Sequence, residues 1–218
     1  MAESKFENQE KQRLNLTAQD LRSGKLVELL PEFYELKDSV ENSKDGWHQQ
    51  ESVLDHTLSV MDGLEKTFKD NKNLEIVFSK KIDGYTRKEL LEIATALHDI
   101  GKKEAMVQEG GFTKCSGHEK ISVEKTKIIL ERFNLSAEET QLVLDIIANH
   151  SVFHYLLMPD NQNFAKDLQD LRSKFGESIY PELIVLSYAD TINSKLRIAC
   201  PEEFKNRIDF YQAEIRKL

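Results

Sequence analysis

The stretch RKELLEIATALHDIGK, residues 87–102, decides how this chain folds. Its apolar residues recur at spacings of three and four, which is the pattern of a helix with one buried face. Thr86 and the glutamate three residues after it form the sequence pattern of a capping box, and Gly101 is a common helix stop. The stretch therefore predicts a helix that carries His98 and Asp99 close to its carboxyl end.

The rest of the chain repeats this helical spacing. Only four prolines and nine glycines interrupt 218 residues, and alternation with a period of two is rare. The sequence predicts an all-α protein with a single helical domain over residues 21–200. We expect a flexible N-terminal extension over residues 1–20 and a C-terminal helical extension over residues 201–218.

Local signals predict where several elements begin and end. A first helix is expected near Thr17, a polar loop over 40–46, and a long amphipathic helix over 49–70. Further capping-box patterns start at Ser116 and Ser136, and Pro181 suits the first turn of another helix. Loops over 71–86, 103–117 and 155–178 are expected to shape the pocket.

Composition limits the possible functions. Charged residues make up 31% of the chain and hydrophobic residues 39%, as in globular proteins that do not enter membranes. The formal net charge of −8 argues against an extended surface for nucleic acid. Two cysteines, a polar N-terminus and no long apolar stretch predict a cytoplasmic protein with no disulfide framework and no membrane partner.

Histidines and aspartates form the main chemical pattern. The six histidines are His48, His56, His98, His118, His150 and His154, and the relevant aspartates are Asp99 and Asp190. Histidine with carboxylate is the usual ligand set for a divalent transition metal. An isolated His-Asp pair is more often a core histidine beside a solvated aspartate, so the prediction depends on the complete set.

Asp190 and His56 each have an alternative interpretation. Asp190 lies in an apolar helix, where a carboxylate is costly to bury unless it is paired or bound to a metal. A salt bridge at the edge of the core would also satisfy it. His56 lies in a helix with an apolar stripe, so it could be a core histidine with its hydrogen bonds satisfied.

The later histidines also leave alternatives open. His150 and His154 are four residues apart and share a face if the helix continues, so His150 is predicted as a metal ligand. His154 is predicted as a substrate contact or a further ligand. His118 falls in the first turn of its helix, where it could bind a metal or make a capping contact.

Basic residues supply candidates for phosphate binding. Lys102 follows the His-Asp pair and could reach a phosphate, although a solvated lysine at a helix end is an alternative. Arg197, Lys195 and Lys114 are further candidates for the rim. Cys115 is interpreted as a small packed residue in preference to a soft metal ligand.

The order His56, His98-Asp99, His118, His150, Asp190 resembles the HD-domain superfamily of metal-dependent phosphohydrolases. The resemblance implies one metal held by His56, His98, Asp99 and Asp190. It also implies that Asp99 bridges to a second metal held by His118 and His150.

Longer stretches are similar to the HD domain of bacterial CCA-adding tRNA nucleotidyltransferases. They include GKLVELLPEFYELKD, WHQQESVLDHTLSVMD, GHEKISVEKTKIILERFNLS and IIANHSVFH, within residues 21–197. The usual Pro-Glu is Gln49-Gln50 here, which leaves the role of His48 open. We find no counterpart of the nucleotidyltransferase head, so we expect a phosphohydrolase module that stands alone.

These resemblances imply hydrolysis of a phosphate mono- or diester of a nucleotide or a nucleotide end by metal-activated water. Asp99 and Lys102 are the predicted catalytic residues, and Lys102, His154 and Arg197 the predicted substrate contacts. The predicted cofactor is one or two ions of Mn, Fe, Co, Ni or Zn, and the predicted partner is a small nucleotide substrate. Alternatives are a 2′,3′-cyclic phosphodiesterase or 2′-phosphatase acting on RNA ends, and a non-catalytic binding module.

Overall fold

The computed structural model describes residues 12–218, apart from the side chain of Glu177, and confirms the all-α prediction. The helices are α1 (Ala18–Arg22), α2 (Pro31–Tyr34), α3 (Val53–Asp70), α4 (Leu74–Phe78), α5 (Arg87–Leu97), α6 (Lys102–Ala105), α7 (His118–Leu130), α8 (Ala137–Asn149), α9 (Val152–Leu156), α10 (Phe164–Asn193), α11 (Leu196–Ala199) and α12 (Pro201–Ile215). A short 3₁₀ helix covers Glu35–Asp38.

Short antiparallel strand pairs connect some of the helices. They are β1 (Val40–Asn42) with β2 (Gln49–Ser52), β3 (Lys81–Ile82) with β4 (Tyr85–Thr86), and β5 (Val107–Glu109) with β6 (Phe112–Lys114). The backbone N–H of Asn42 donates to Oγ1 of Thr113 at 2.8 Å, which joins the first pair to the third. These strands were not predicted, because pairs of two to four residues leave almost no periodic signal in the sequence.

The core lies where α3, α5, α8 and α10 pack together. Gly63 shows how closely α3 approaches α10. A Cβ at this position would lie 2.1 Å from Nδ2 of Asn193 and 3.0 Å from the carbonyl oxygen of Ala189. This close approach brings His56, two turns earlier on α3, next to Asp190 on α10.

The structure corrects several predicted boundaries. The helix predicted over 49–70 begins at Val53, because residues 49–52 form β2 and Ser52 caps the helix. Residues 40–42 of the predicted loop form β1, and the predicted loop over 103–117 contains most of α6 and the β5–β6 pair. The predicted loop over 71–86 contains α4 and the β3–β4 pair, and the one over 155–178 contains the first half of α10.

The capping predictions have mixed outcomes. The capping boxes at Thr86 and Ser136 are confirmed. The one at Ser116 is wrong, because α7 begins after Gly117, whose φ of 76° suits glycine, and no side chain caps it. Pro181 lies inside α10, and the helical conformation breaks earlier, at Gly176, where φ is 41°.

The predicted extensions pack against the domain. Leu14 and Leu16 are buried, so the prediction of a flexible segment is wrong for residues 12–20. The remainder of that prediction, residues 1–11, lies outside the described residues. At the other end, α12 packs against α10, with Tyr211 and Ile215 buried. Within residues 12–218, we find no helix long and apolar enough to cross a membrane.

Candidate metal centre

His98 and Asp99 follow α5 directly and are buried, at 1% and 2% exposure. Nδ1–H of His98 donates to the carbonyl oxygen of Thr95 at 2.7 Å, so the ring presents Nε2 to the cluster. That Nε2 lies 3.2 Å from Oδ2 of Asp99. Among residues 12–218 this nitrogen has no hydrogen-bond partner, so a buried polar atom is left unpaired.

His118 and His150 are held in the same way. Nδ1 of His118 donates to the carbonyl oxygen of Cys115 at 2.8 Å, and Nδ1 of His150 donates to that of Ile147 at 2.7 Å. The two Nε2 atoms face each other at 3.1 Å. Burial and the neighbouring His98 lower the pKa of His150 to about 4, so its imidazole is neutral at pH 7.

Asp99 lies between these histidines. Its Oδ1 is 3.2 Å from Nε2 of His118 and 3.7 Å from Nε2 of His150. Burial alone would raise the pKa of Asp99, but the adjacent His98 and Lys102 hold it well below its usual range. The carboxylate is therefore ionised, and its Oδ1 has no hydrogen-bond donor among the described residues.

His56 and Asp190 complete the cluster from α3 and α10. Nε2 of His56 lies 3.0 Å from Oδ1 of Asp190. Burial would raise the pKa of Asp190, but His56 lowers it below its usual value, so this carboxylate is also ionised. The predicted alternative of a salt bridge to a lysine or arginine is not seen among the residues that the structure describes.

The donor set fits divalent metal ions. Two nitrogens bound to one metal at 2.0–2.1 Å are about 3 Å apart, which matches the separation of Nε2 in His118 and His150. Among the predicted metal ligands, two groups have ligand atoms that all lie within 4.8 Å of one another, namely His56 with His98 and Asp99, and Asp99 with His118 and His150. Backbone hydrogen bonds on Nδ1 are the usual way of orienting a ligand histidine.

The family model of the HD domain matches residues 53–194, which include each of the predicted metal ligands. The chain belongs to the HD-domain family. This membership places it in a superfamily of metal-dependent phosphohydrolases. No curated protein matches the chain, and the narrower similarity to CCA-adding enzymes stays a prediction.

Lys102 occupies a buried position beside the HD pair, so the alternative of a solvated lysine is wrong. Its Nζ lies 2.9 Å from Oε2 of Glu41, 3.0 Å from Oδ2 of Asp99 and 3.3 Å from Nε2 of His48. Burial would lower the pKa of Lys102, but the two carboxylates raise it, so the amine stays charged. Lys103 points away and pairs with Glu35 at the surface.

Sequence reasoning missed two glutamates that lie before the HD match. Glu41 on β1 contacts Lys102, and Glu51 on β2 accepts from Nδ1 of His48 at 3.1 Å. Burial alone would raise the pKa of Glu51, but His48, His56 and Lys195 lower it. No periodic signal could have revealed them, because they reach the site only through the pairing of β1 with β2.

A cavity of about 700 Å³ opens onto the candidate metal centre. Its inner wall includes His98, Asp99, Lys102, His118, His150 and Asp190, and its outer part includes Lys44, Phe112 and Tyr155. Of the predicted rim residues, Lys114 lines the cavity, as does Cys115, which was interpreted as a small packed residue. Arg197 and Lys195 are not among the lining residues, and Arg197 is exposed on α11, so its prediction as a substrate contact finds no support.

His154 lines the cavity apart from the other histidines. Its ring lies edge-on to that of Trp47, with 4.6 Å between the centroids. The buried guanidinium of Arg207 on α12 donates to the carbonyl oxygen of His154 and lies 5.1 Å from the Trp47 ring. This position favours a substrate contact for His154 over a metal ligand.

Proposed function

We propose that this HD domain hydrolyses a phosphate ester of a nucleotide, with two divalent metal ions held on either side of Asp99. The observation that carries the proposal is the position of Asp99. Its ionised carboxylate lies between His98, which follows α5, and the pair His118 and His150, with Oδ1 lacking a hydrogen-bond donor among the described residues. His56, His98, Asp99 and Asp190 would hold one metal, and Asp99, His118 and His150 the other.

When bound, metals of this kind lower the pKa of water and neutralise phosphate oxygens. The protein's own residues prepare the site for that chemistry. Hydrogen bonds from Nδ1 fix His98, His118 and His150, so Nε2 of each ring faces the cluster before any ligand arrives. Preformed geometry of this sort removes the cost of reorganisation during the reaction. Nitrogen and carboxylate donors favour Mn, Fe, Co, Ni or Zn over Mg.

Lys102 is the proposed phosphate contact. Its ammonium group has three N–H donors, and the structure gives it three acceptors. The longest contact, 3.3 Å to Nε2 of His48, is the weakest of the three. A phosphate oxygen in the cavity would replace His48 there, while Asp99 and Glu41 continue to hold the amine in place.

The outer part of the cavity favours a nucleotide over a small phosphomonoester. Phe112 and Tyr155 are 37% and 61% exposed, and both line the cavity, where an aromatic ring could stack on a base. Lys44 also lines it and has no ion pair with any residue of the described chain. A volume of about 700 Å³ falls in the range of small-molecule sites.

The test is a hydrolysis screen of the manganese-loaded protein against mononucleotides, cyclic nucleotides, dinucleotides and short RNA ends. We expect release of phosphate or a nucleotide product from at least one nucleotide ester, and loss of that activity in Asp99→Asn. A preference for 2′,3′-cyclic RNA ends would support the RNA-end alternative. Metal-loaded protein that binds nucleotides without cleaving any of the panel would contradict the proposal and support a binding module.

A further inference from the structure

His56 differs from the other candidate ligands in how its ring is held. His98, His118 and His150 each donate from Nδ1 to a backbone carbonyl oxygen at 2.7–2.8 Å. Nδ1 of His56 has no hydrogen-bond partner among residues 12–218, although the side chain is 1% exposed. His56 therefore lacks the contact on Nδ1 that directs Nε2 of a ligand histidine to its metal.

The group closest to providing that partner is Glu51. Oε1 of Glu51 lies 3.8 Å from Nδ1 of His56, which is too long for a hydrogen bond. The carboxylate is 12% exposed and is fixed by two other contacts. Oε1 accepts from Nδ1 of His48 at 3.1 Å, and Oε2 lies 3.1 Å from Nζ of Lys195.

We propose that Glu51 is a positioning residue, whose carboxylate accepts Nδ1–H of His56 and so directs Nε2 of His56 to the metal. The inference rests on the proposed metal centre. A movement of less than about 1 Å would bring the two atoms into hydrogen-bond range. A carboxylate bound to the second nitrogen of a ligand histidine fixes its tautomer and raises its basicity.

The arrangement of charges distinguishes this role from that of a third metal site. His48, Glu51 and His56 have ligand atoms within 4.8 Å of one another, so the geometry alone would permit a metal. However, the ammonium group of Lys195 lies against Glu51, and that of Lys102 lies 3.3 Å from Nε2 of His48. Two cations already neutralise this side of the centre, which favours a carboxylate–histidine contact over a third ion.

The positioning contacts lie outside the matched part of the HD domain. Residues 53–194 are matched, whereas Glu51 precedes that range and Lys195 follows it. Backbone pairing connects the same segments, because the N–H of Lys195 donates to the carbonyl oxygen of Trp47 at 2.9 Å. The segment from Trp47 to Glu51 would thus lie beside the matched HD domain and hold His56, its first histidine, in place.

The experiment compares Glu51→Ala with Glu119→Ala. Glu119 is the matched control, since its Oε2 lies 3.6 Å from Nδ1 of His118, which already donates to a backbone carbonyl oxygen. Metal affinity is measured by chelator competition with Co²⁺ and Zn²⁺, without substrate. We expect Glu51→Ala to weaken one of two metals by about 10–100-fold, Glu51→Gln to recover part of this, and Glu119→Ala to leave both affinities unchanged.

A second measurement uses the wild-type protein, so it does not require Glu51→Ala to fold. In wild-type protein loaded with Zn²⁺, nitrogen NMR of the imidazoles should show His56 protonated at Nδ1. Equal affinities for wild type and Glu51→Ala, an effect of the same size in Glu119→Ala, or His56 protonated only at Nε2 would overturn the inference. Loss of a third equivalent of metal in Glu51→Ala would instead make Glu51 a ligand. A wild-type protein that binds no metal would overturn the proposed function as well.

Discussion

Replacing Lys102 with methionine should destabilise the protein strongly. Lys102 is 6% exposed, and its ammonium group lies within 3.0 Å of carboxylate oxygens of both Asp99 and Glu41. Methionine keeps most of the volume but removes the charge, so two buried carboxylates lose their shared cation. Removing one partner of a buried ion pair typically lowers the free energy of unfolding by about 3–5 kcal/mol. For a chain of this length, that corresponds to a fall in Tm of roughly 6–20 °C.

The assay is calorimetric unfolding of the metal-free protein, followed by the same measurement with saturating Mn²⁺. Bound metal would neutralise Asp99 directly, so the difference between variant and wild type should shrink when metal is present. Adding Glu41→Gln to Lys102→Met should recover part of the loss, because it removes one of the two uncompensated charges. Lys103→Met is the control, since its ion pair with Glu35 is at the surface.

If Lys102→Met and Lys103→Met have the same Tm in the metal-free state, Lys102 does not carry the electrostatic role that its burial indicates. A double variant no more stable than Lys102→Met would show that Glu41 is not coupled to the lysine. Either result would refute the argument from the buried network and would favour a lysine that is free to move into the cavity.

Other predictions concern the metals, the packing and pH. Asp99→Ala should lose both metals by elemental analysis, and two retained equivalents would contradict the bridging assignment. His118→Ala and His150→Ala should each lose one metal and keep the fold; retention of both would favour a structural role for these histidines. Gly101→Ala should lower Tm and weaken the second metal, because a Cβ there would lie 2.5 Å from the backbone nitrogen of Ser122 on α7; an unchanged Tm would show that α7 can shift. In the metal-free protein, the lowered pKa of His150 means that the unfolded state binds more protons between about pH 4 and 6.5, so stability should rise with pH there. Urea titrations of His150→Gln should show a shallower rise, and an identical slope would contradict the assignment.

Much of the fold follows from local sequence signals. The period of the apolar residues predicted α5 and α8, and the capping boxes at Thr86 and Ser136 placed their starts correctly. The helix carrying Asp190 was predicted to begin at Pro181, but it extends back through a break at Gly176. Periodicity could not locate that break, since the backbone on both sides is helical.

The sequence by itself determined that this chain is helical and that its histidines and aspartates come in the order of an HD domain. Both follow from residue types and their spacing, because a helix of 3.6 residues per turn places residues three or four apart on the same face. Only the tertiary structure decided that Lys102 is buried, that Arg197 is not among the residues lining the cavity, and that Glu41 and Glu51 lie beside the candidate centre. These positions depend on how the helices and strands pack, because they involve residues far apart in sequence or at junctions between strands and helices. No local sequence pattern specifies them.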